Sequence, residues 1–289
     1  MVVNVLVSGL LIYDSGKTWL GVSLIKKLLS QGINVGVYKP VAGHNAWNQY
    51  LTVVESFRRG VLIGEDVIRY AGVLGDVNLS LINPIDMLLA PPDLLYYIDG
   101  DVYRYLDDLE NQFRQIVLAR ITLCSKESTE HFIFRNNLAN VSPPLKNDIE
   151  RLSIRLNAVN SNIDYFLQKL RSRDIEDELL ICLEKIGMKS DVVVIESFNN
   201  AIAPFRKILD KVDMIFIVAP TIVAVYRNIR DVLKIINESI DRYGEKGFEA
   251  TYLLSKLKPS ATYYIKPRLN IDEYDESIDR IAKMIATNR

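Results

Sequence analysis

The chain has 289 residues and a mass of 32.9 kDa, a length that suits one large α/β domain or two smaller domains. Apolar residues make up 49% of the sequence and charged residues 25%, which excludes a disordered or collagen-like protein. The 35 Lys and Arg residues balance 36 Asp and Glu residues, so the sequence predicts no general binding to nucleic acid or to an acidic membrane surface.

Short apolar segments along the chain predict buried β-strands, because they are rich in Val, Ile, Leu or Phe and lack the alternation of a half-exposed strand. The predicted strands are Val2–Ser8, Val35–Lys39, Asp191–Glu196, Met214–Ala219 and Ala250–Ser255. Apolar residues at steps of three and four predict helices, namely Lys17–Gln31, Thr221–Arg242 and Asp275–Thr287. Strands that alternate with helices indicate a doubly wound α/β fold with a mainly parallel sheet.

The middle of the chain has a different pattern, with no convincing buried parallel strand between about Asp101 and Lys189. Lys146–Leu170 repeats apolar residues at alternating steps of three and four and predicts one long helix, and Asp174–Met188 predicts a second. Because sheet segments lie on both sides, we expect residues 101–189 to be a helical insertion in a single domain that spans residues 1–289. This insertion is expected to be a helical hairpin beside the sheet, with a dimer interface or a lid as the alternative.

Two features bear on the cellular compartment. Val2–Ile12 is apolar, but no basic segment precedes it and no small-residue cleavage site follows it, so we expect a buried strand rather than a secretory signal. No apolar stretch approaches the roughly 20 residues of a membrane span. Cys124 and Cys182 are far apart and form no Cys-x-x-Cys pair, which argues against a disulfide scaffold or a zinc site. We therefore expect a cytoplasmic protein.

The strongest functional motif is Ser15-Gly16-Lys17-Thr18, between a predicted buried strand and a predicted helix. The glycine lets the backbone approach phosphate oxygens, and the N–H groups at the start of the helix attract anions. In this pattern the lysine reaches the β- and γ-phosphates and the threonine hydroxyl binds Mg²⁺. Leu11 replaces the usual small residue five positions before Gly16, and Gly9 stands two positions earlier. The motif predicts a phosphate loop, with an ordinary strand-to-helix turn as the alternative.

Two charged residues end other predicted strands. Lys39 ends the second strand, and ligands of doubly wound sheets bind beyond the carboxyl ends of the strands. Glu196 ends the apolar strand Asp191–Glu196, where a rigid carboxylate could bind Mg²⁺. The alternative is that both are solvated side chains at strand ends.

Several segments together resemble dethiobiotin synthetases, a family of P-loop NTPases, over about residues 1–95 and 190–255. The segments that occur in the same order are the Gly-Lys-Thr loop, Tyr38-Lys39-Pro40-Val41, Asp66 in Gly64-Glu65-Asp66-Val67, Asn83-Pro84 and Glu196. The loop is also similar to that of a module preceding the catalytic part of some phosphotransacetylases, through Tyr13, Ser15, Gly16 and Lys17.

The resemblance implies a P-loop NTPase fold, a homodimer, and ATP and Mg²⁺ as cofactors. It implies that Thr18, Asp66 and Glu196 bind the magnesium ion. Lys17 and Lys39 would hold the transferring phosphoryl group and the carboxylated substrate as the catalytic pair. The nucleotide-binding residues would be Asp14, Ser15, Gly16, Lys17 and Thr18, with Asp14 matching an acidic residue inside the family's loop.

The acceptor end departs from the family. Ser197-Phe198-Asn199-Asn200 stands where the synthetase has Gly-Ala-Gly-Gly, and Gly43 stands where it has a substrate-binding serine. We therefore expect an Mg·ATP-dependent ATPase or phosphoryl-transfer enzyme with an unidentified small carboxylate or carbamate substrate, rather than a dethiobiotin synthetase. The alternative is a nucleotide-binding sensor module with little turnover. A partition-type ATPase is disfavoured, because the segment from Gly9 to Ser15 lacks that family's extra lysine.

Overall fold

A computed structural model describes residues 2–98 and 101–288 of the chain. The chain divides into two compact units, where the sequence analysis expects one domain. The first unit comprises Met1–Pro40, Arg69–Asp76 and Leu180–Arg289, and the second comprises Val41–Ile68 and Val77–Leu179.

The described residues form an α/β arrangement of strands and helices. The strands are β1 (Val3–Gly9), β2 (Val35–Tyr38), β3 (Val41–Asn45), β4 (Ile85–Leu89), β5 (Ile116–Leu123), β6 (Ser128–Ile133), β7 (Val159–Asn160), β8 (Val192–Glu196), β9 (Met214–Ala219), β10 (Ile222–Tyr226) and β11 (Ala261–Tyr264). The α-helices are α1 (Lys17–Ser30), α2 (Tyr50–Arg59), α3 (Glu65–Leu74), α4 (Leu79–Ile82), α5 (Val102–Glu110), α6 (Gln112–Gln115), α7 (Arg135–Leu138), α8 (Pro143–Arg155), α9 (Ile163–Leu170), α10 (Arg173–Gly187), α11 (Ile229–Tyr243), α12 (Ala250–Lys256) and α13 (Glu276–Ala286). Short 3₁₀ turns cover Leu94–Tyr96, Arg206–Lys211 and Gly244–Phe248.

The first unit contains a six-stranded sheet in the order β11-β10-β9-β1-β8-β2. Strands β9, β1, β8 and β2 are parallel, and the sheet continues through two antiparallel pairs, β10 with β9 and β11 with β10. The predicted strands that begin at Val2, Val35, Asp191 and Met214 are therefore confirmed. Their side chains are buried on both faces, since helices cover a parallel sheet from both sides.

Helices α1 and α13 bury their apolar faces with this sheet. Leu24 and Leu28 of α1 and Ile281 of α13 belong to one cluster with the valines of β1 and β8. Each fully buried aliphatic side chain stabilises the fold by about 1.5–3 kcal/mol. The cluster therefore fixes the starting point of α1 relative to the carboxyl ends of the strands.

Two predictions about the first unit are wrong. Thr221–Arg242 is not one helix: its first residues form β10, and α11 begins at Ile229. The β-branched run of β10 turns back on β9 through Thr221, which has a φ of 67°, so pairing with a buried strand overrides the helical pattern. Ala250–Ser255 is helix α12 rather than a strand, because only Ala250 and Leu253, three residues apart, are buried.

The second unit contains a five-stranded sheet in the order β3-β4-β5-β6-β7. The region predicted as a helical insertion, residues 101–189, also contains strands β5, β6 and β7, which the sequence analysis did not predict. Strand β5 reads IVLARITL and is antiparallel to both neighbours. Its first seven residues are buried, so it lacks the alternation of buried and exposed residues that indicates a half-exposed strand. It also includes the charged Arg120, so it lacks the purely apolar composition that indicates a fully buried strand.

The predicted long helix Lys146–Leu170 is also wrong, because it divides into α8, β7 and α9. Asn157 has a φ of 52°, a left-handed conformation that follows the end of α8. The Asn162 side chain accepts hydrogen bonds from the N–H groups of Asp164 and Tyr165 and starts α9. The second predicted helix, Asp174–Met188, is confirmed as α10.

No helix in the described part of the chain combines the length and the apolar character that a membrane crossing requires. Neither Cys124 nor Cys182 is a free thiol, since both are disulfide-bonded. The spacing of the two cysteines argued against a disulfide scaffold, and it did not predict that both are disulfide-bonded. Their separation along the chain gave no local signal, because disulfide geometry depends on tertiary distances.

Candidate functional site

The loop between β1 and α1 needs glycine at both ends. Gly16 precedes α1 with a φ of 88°, a left-handed conformation that side chains disfavour. A Cβ atom on Gly9 would lie 2.6 Å from the Lys17 Nζ and 2.7 Å from the Ser15 Oγ. Gly16 occupies the N-cap position and has no side chain with which to cap α1. The loop therefore provides backbone donors beside a lysine, as phosphate binding requires.

Gly9 stands two positions earlier than the glycine of the usual phosphate loop, so this loop is two residues longer. The extra length forms an outward turn. The Ser15 hydroxyl accepts a hydrogen bond from the Leu11 N–H at 2.9 Å and donates one to the Leu11 carbonyl at 2.9 Å. Ile12 and Tyr13, between them, are 50% and 63% exposed. Asp14 is exposed in the same turn, with a φ of 54°. The serine closes the base of the turn, and Gly9 rather than Leu11 faces the lysine.

Lys17 crosses the loop with its ammonium held inside the protein. The residue is only 9% exposed, and its Nζ donates a hydrogen bond of 2.8 Å to the Asn199 carbonyl. Asn199 follows β8 and has a φ of 45°. The lysine head group therefore lies between the loop after β1 and the loop after β8.

Three predicted site residues meet at the carboxyl ends of the parallel strands. The Lys39 Nζ lies 2.6 Å from the Glu196 Oε1, and the Thr18 hydroxyl donates to the same oxygen at 3.3 Å. Lys39 also donates to the Ser197 carbonyl at 3.2 Å. The lysine is 4% exposed and the glutamate 1% exposed. The alternative of solvated strand-end charges is wrong for both, because they form a buried ion pair.

A tyrosine that the sequence did not single out completes this cluster. Tyr70 is fully buried, and its hydroxyl donates a hydrogen bond to the Glu196 Oε2. Its ring lies against Gly21 of α1, where a Cβ atom would overlap the tyrosine hydroxyl. Tyrosine within an amphipathic helix usually indicates core packing, so no local signal could have marked this residue.

A cavity of about 200 Å³ adjoins the glycine loop. Gly16 and Trp19 form one wall, and Pro220, after β9, lies on another. The charged residues of the lining are Lys266 and Arg268, from the segment after β11, and the acidic Asp14 of the loop. The cavity thus combines an indole and apolar surface with basic groups next to the phosphate-loop motif, a composition that suits an anionic ligand with an aromatic part.

Asp66 belongs to the second unit, where it lies in the first turn of α3. The described residues contain no group of three or more His, Cys, Asp or Glu side chains that could hold a metal ion. A dication at Thr18 and Glu196 would thus need phosphate or water oxygens as further ligands. Mg²⁺ is bound in this way, by one or two carboxylates together with substrate phosphates.

The second unit has its own buried polar cluster. The His44 Nδ1 lies 2.7 Å from the Thr52 Oγ1, and the His44 Nε2 lies 3.4 Å from the Asp86 Oδ2. Arg120 donates from its Nη2 to the Asn83 side-chain oxygen at 2.6 Å, and burial lowers its pKa to about 10. These residues lie beneath the sheet surface, so they support the fold rather than offering a site that a substrate could reach.

His131 lies in the same unit and is uncharged near neutral pH. Burial, together with the charge of Arg120, lowers the pKa of its imidazole to about 4. The Leu62 N–H donates to its Nε2 at 3.2 Å, which requires the neutral ring.

A comparison of the chain with protein-family models and with curated proteins finds no match.

Proposed function

We propose that the first unit binds Mg·ATP at the Lys17 loop and acts as an ATPase or phosphoryl-transfer enzyme of P-loop type. One observation carries this proposal: Thr18 and Lys39 both contact the same oxygen of Glu196. The three residues come from distant segments of the chain, and each was expected at a nucleotide site on independent grounds. A chance surface arrangement would not bury a lysine and a glutamate around a threonine hydroxyl.

The loop supplies the phosphate site. The N–H groups at the start of α1 would bind the β-phosphate, since a helix N-terminus attracts anions. The Lys17 ammonium would exchange its bond to the Asn199 carbonyl for the phosphate oxygens. Because Gly9 has no side chain, the Lys17 ammonium can lie across the loop, where it would meet a phosphate group bound at the start of α1.

The nucleoside would occupy the adjoining cavity. Trp19 offers an aromatic surface for a base, and Pro220 lies on the same cavity. Lys266 and Arg268 would balance the remaining phosphate charge. A volume of about 200 Å³ is small for a whole nucleotide, so the phosphates are expected to lie in the loop outside it.

Thr18 and Glu196 would hold the magnesium ion together with phosphate or water oxygens. The bound ion would neutralise charge that develops on the γ-phosphate. Lys39 lies beside this position and would orient the transferring phosphoryl group or the carboxylate of an acceptor. The substrate class proposed is a small carboxylate or carbamate, because a buried lysine head group can bind its oxygens.

A second candidate function is a nucleotide sensor with little turnover. One observation favours it: both lysines already have partners in the protein, Lys17 at Asn199 and Lys39 at Glu196. Nucleotide binding must rearrange both contacts, and such a rearrangement is how ligands shift conformational populations.

Binding and turnover of ATP test the proposal together. The intact chain should bind ATP with Mg²⁺ and hydrolyse it, and Lys17→Ala should abolish turnover while leaving the circular dichroism spectrum unchanged. Lys26→Ala is the matched control, because it removes a half-buried lysine of the same helix that pairs with Asp272 instead of lying in the loop. Tight binding with negligible hydrolysis would favour the sensor. An unaltered ATPase in Lys17→Ala, or no binding of ATP at all, would contradict the proposal.

A further inference from the structure

The orientation of the Glu196 carboxylate is fixed from two sides. Thr18 and Lys39 contact Oε1, whereas the Tyr70 hydroxyl donates to Oε2. The glutamate and the tyrosine are both buried, so water does not compete with this hydrogen bond. A hydrogen bond to an ionised group is about twice as strong as a neutral one, and it prevents rotation of the carboxylate.

The chain accommodates Tyr70 at a specific place on α1. Gly21 lies one helical turn after Thr18, and the tyrosine ring occupies the space that a side chain at position 21 would fill. A Cβ atom there would lie 3.2 Å from two ring carbons and overlap the hydroxyl. The tyrosine is therefore held between the helix that carries Thr18 and the strand that ends in Glu196.

We infer that Tyr70 is a positioning residue that holds Glu196 so that one oxygen faces the cation position next to Thr18. The inference rests on the proposed function. Without the hydroxyl, the carboxylate can turn both oxygens toward Lys39 and form a two-point ion pair. The Lys39 ammonium, which already contacts Oε1, would then bind both carboxylate oxygens and compete with the cation for them. Residues that orient a metal ligand typically change metal affinity about 10–100-fold when they are replaced.

The affinity for Mg·ATP has two contributions, phosphate binding and magnesium binding, and the inference assigns Tyr70 to the second. Phosphate binding depends on the loop and Lys17, which Tyr70 does not contact in the hydrogen bonds described above. The gain in affinity from Mg²⁺ depends on Glu196 and Thr18. Tyr70→Phe should therefore reduce the magnesium-dependent gain and leave metal-free nucleotide binding unchanged.

The test measures dissociation constants by titration calorimetry with the non-hydrolysable analogue AMPPNP, in EDTA and in Mg²⁺. The wild-type chain should bind more tightly with Mg²⁺, and Tyr70→Phe should lose about tenfold or more of that gain. Tyr226→Phe is the matched control, because this buried tyrosine of the same unit donates to the Leu257 carbonyl at 2.9 Å instead. It should keep the full gain.

The other outcomes are distinct. An undiminished magnesium gain in Tyr70→Phe, or an equal loss of affinity with and without metal, overturns the positioning role while nucleotide binding stands. A wild-type chain that binds AMPPNP without any gain from Mg²⁺ also overturns it, because no cation is then held. A wild-type chain that binds no AMPPNP in either buffer shows that the proposed function itself has failed.

Discussion

The buried ion pair between Lys39 and Glu196 allows a quantitative prediction about stability that does not depend on any ligand. The two charges lie 2.6 Å apart, with side-chain exposures of 5% and 1%. Removing one partner of a buried pair leaves the other charge in a medium of low dielectric constant, which typically costs about 3–5 kcal/mol. Glu196→Gln should therefore lower the free energy of unfolding by about that amount.

The chain offers a matched control for this effect. Arg280 and Glu276 on α13 also approach to 2.6 Å, but their side chains are 67% and 64% exposed. Water screens such a pair, so its coupling energy should be at most about 0.5 kcal/mol. The two pairs have the same separation, and their large difference in burial predicts a large difference in coupling energy.

For each pair, a double-mutant cycle of four proteins measured by urea denaturation gives the coupling energy between the two charges. For the buried pair the proteins are wild type, Lys39→Met, Glu196→Gln and the double variant. The free energy of unfolding that the double variant loses should be smaller, by about 2 kcal/mol or more, than the sum of the losses in the two single variants. The reason is that the double variant leaves neither charge buried without its partner. Coupling for the buried pair as small as for Arg280 and Glu276 would refute the reasoning.

Two further predictions concern the loop and the second unit. Gly9→Ala should weaken ATP binding about tenfold or more, equivalent to about 1.4 kcal/mol, because its Cβ would meet the Lys17 ammonium and the Ser15 hydroxyl. Gly72→Ala is the control, because a Cβ atom at that position meets nothing within 4 Å, and this variant should bind ATP normally. Equal ATP affinities of the two variants in calorimetry would contradict the prediction. Well above pH 6.5 the imidazole of His131 is neutral in both the folded and the unfolded chain. Below pH 6.5 the unfolded chain binds a proton first, because the pKa of His131 in the folded chain is about 4. His131 should therefore cost about 3 kcal/mol of stability as the pH falls from 6.5 to 4. In denaturation curves across this range, the stability difference between wild type and His131→Gln should change by that amount, and a constant difference would exclude the effect.

Local signals in the sequence predicted much of the first unit. The apolar runs of β1, β2, β8 and β9 could be recognised because strands of a parallel sheet are buried on both faces. The same logic placed Lys39 and Glu196 at one edge of the sheet, since the carboxyl ends of parallel strands lie together. The pattern failed for β5, where a buried arginine interrupts the apolar run, and for β10, where strand pairing overrode a helical periodicity.

The sequence by itself predicted a loop of phosphate-binding type, because the glycine at position 16 and the helix start that follows it are properties of adjacent residues. Only the tertiary structure decided that β8 lies between β1 and β2, which brings Glu196 against both Thr18 and Lys39. It alone added Tyr70 to that glutamate. Contacts of this kind depend on how strands are ordered and how helices dock, and those choices come from burial summed over the whole core rather than from any short stretch of chain.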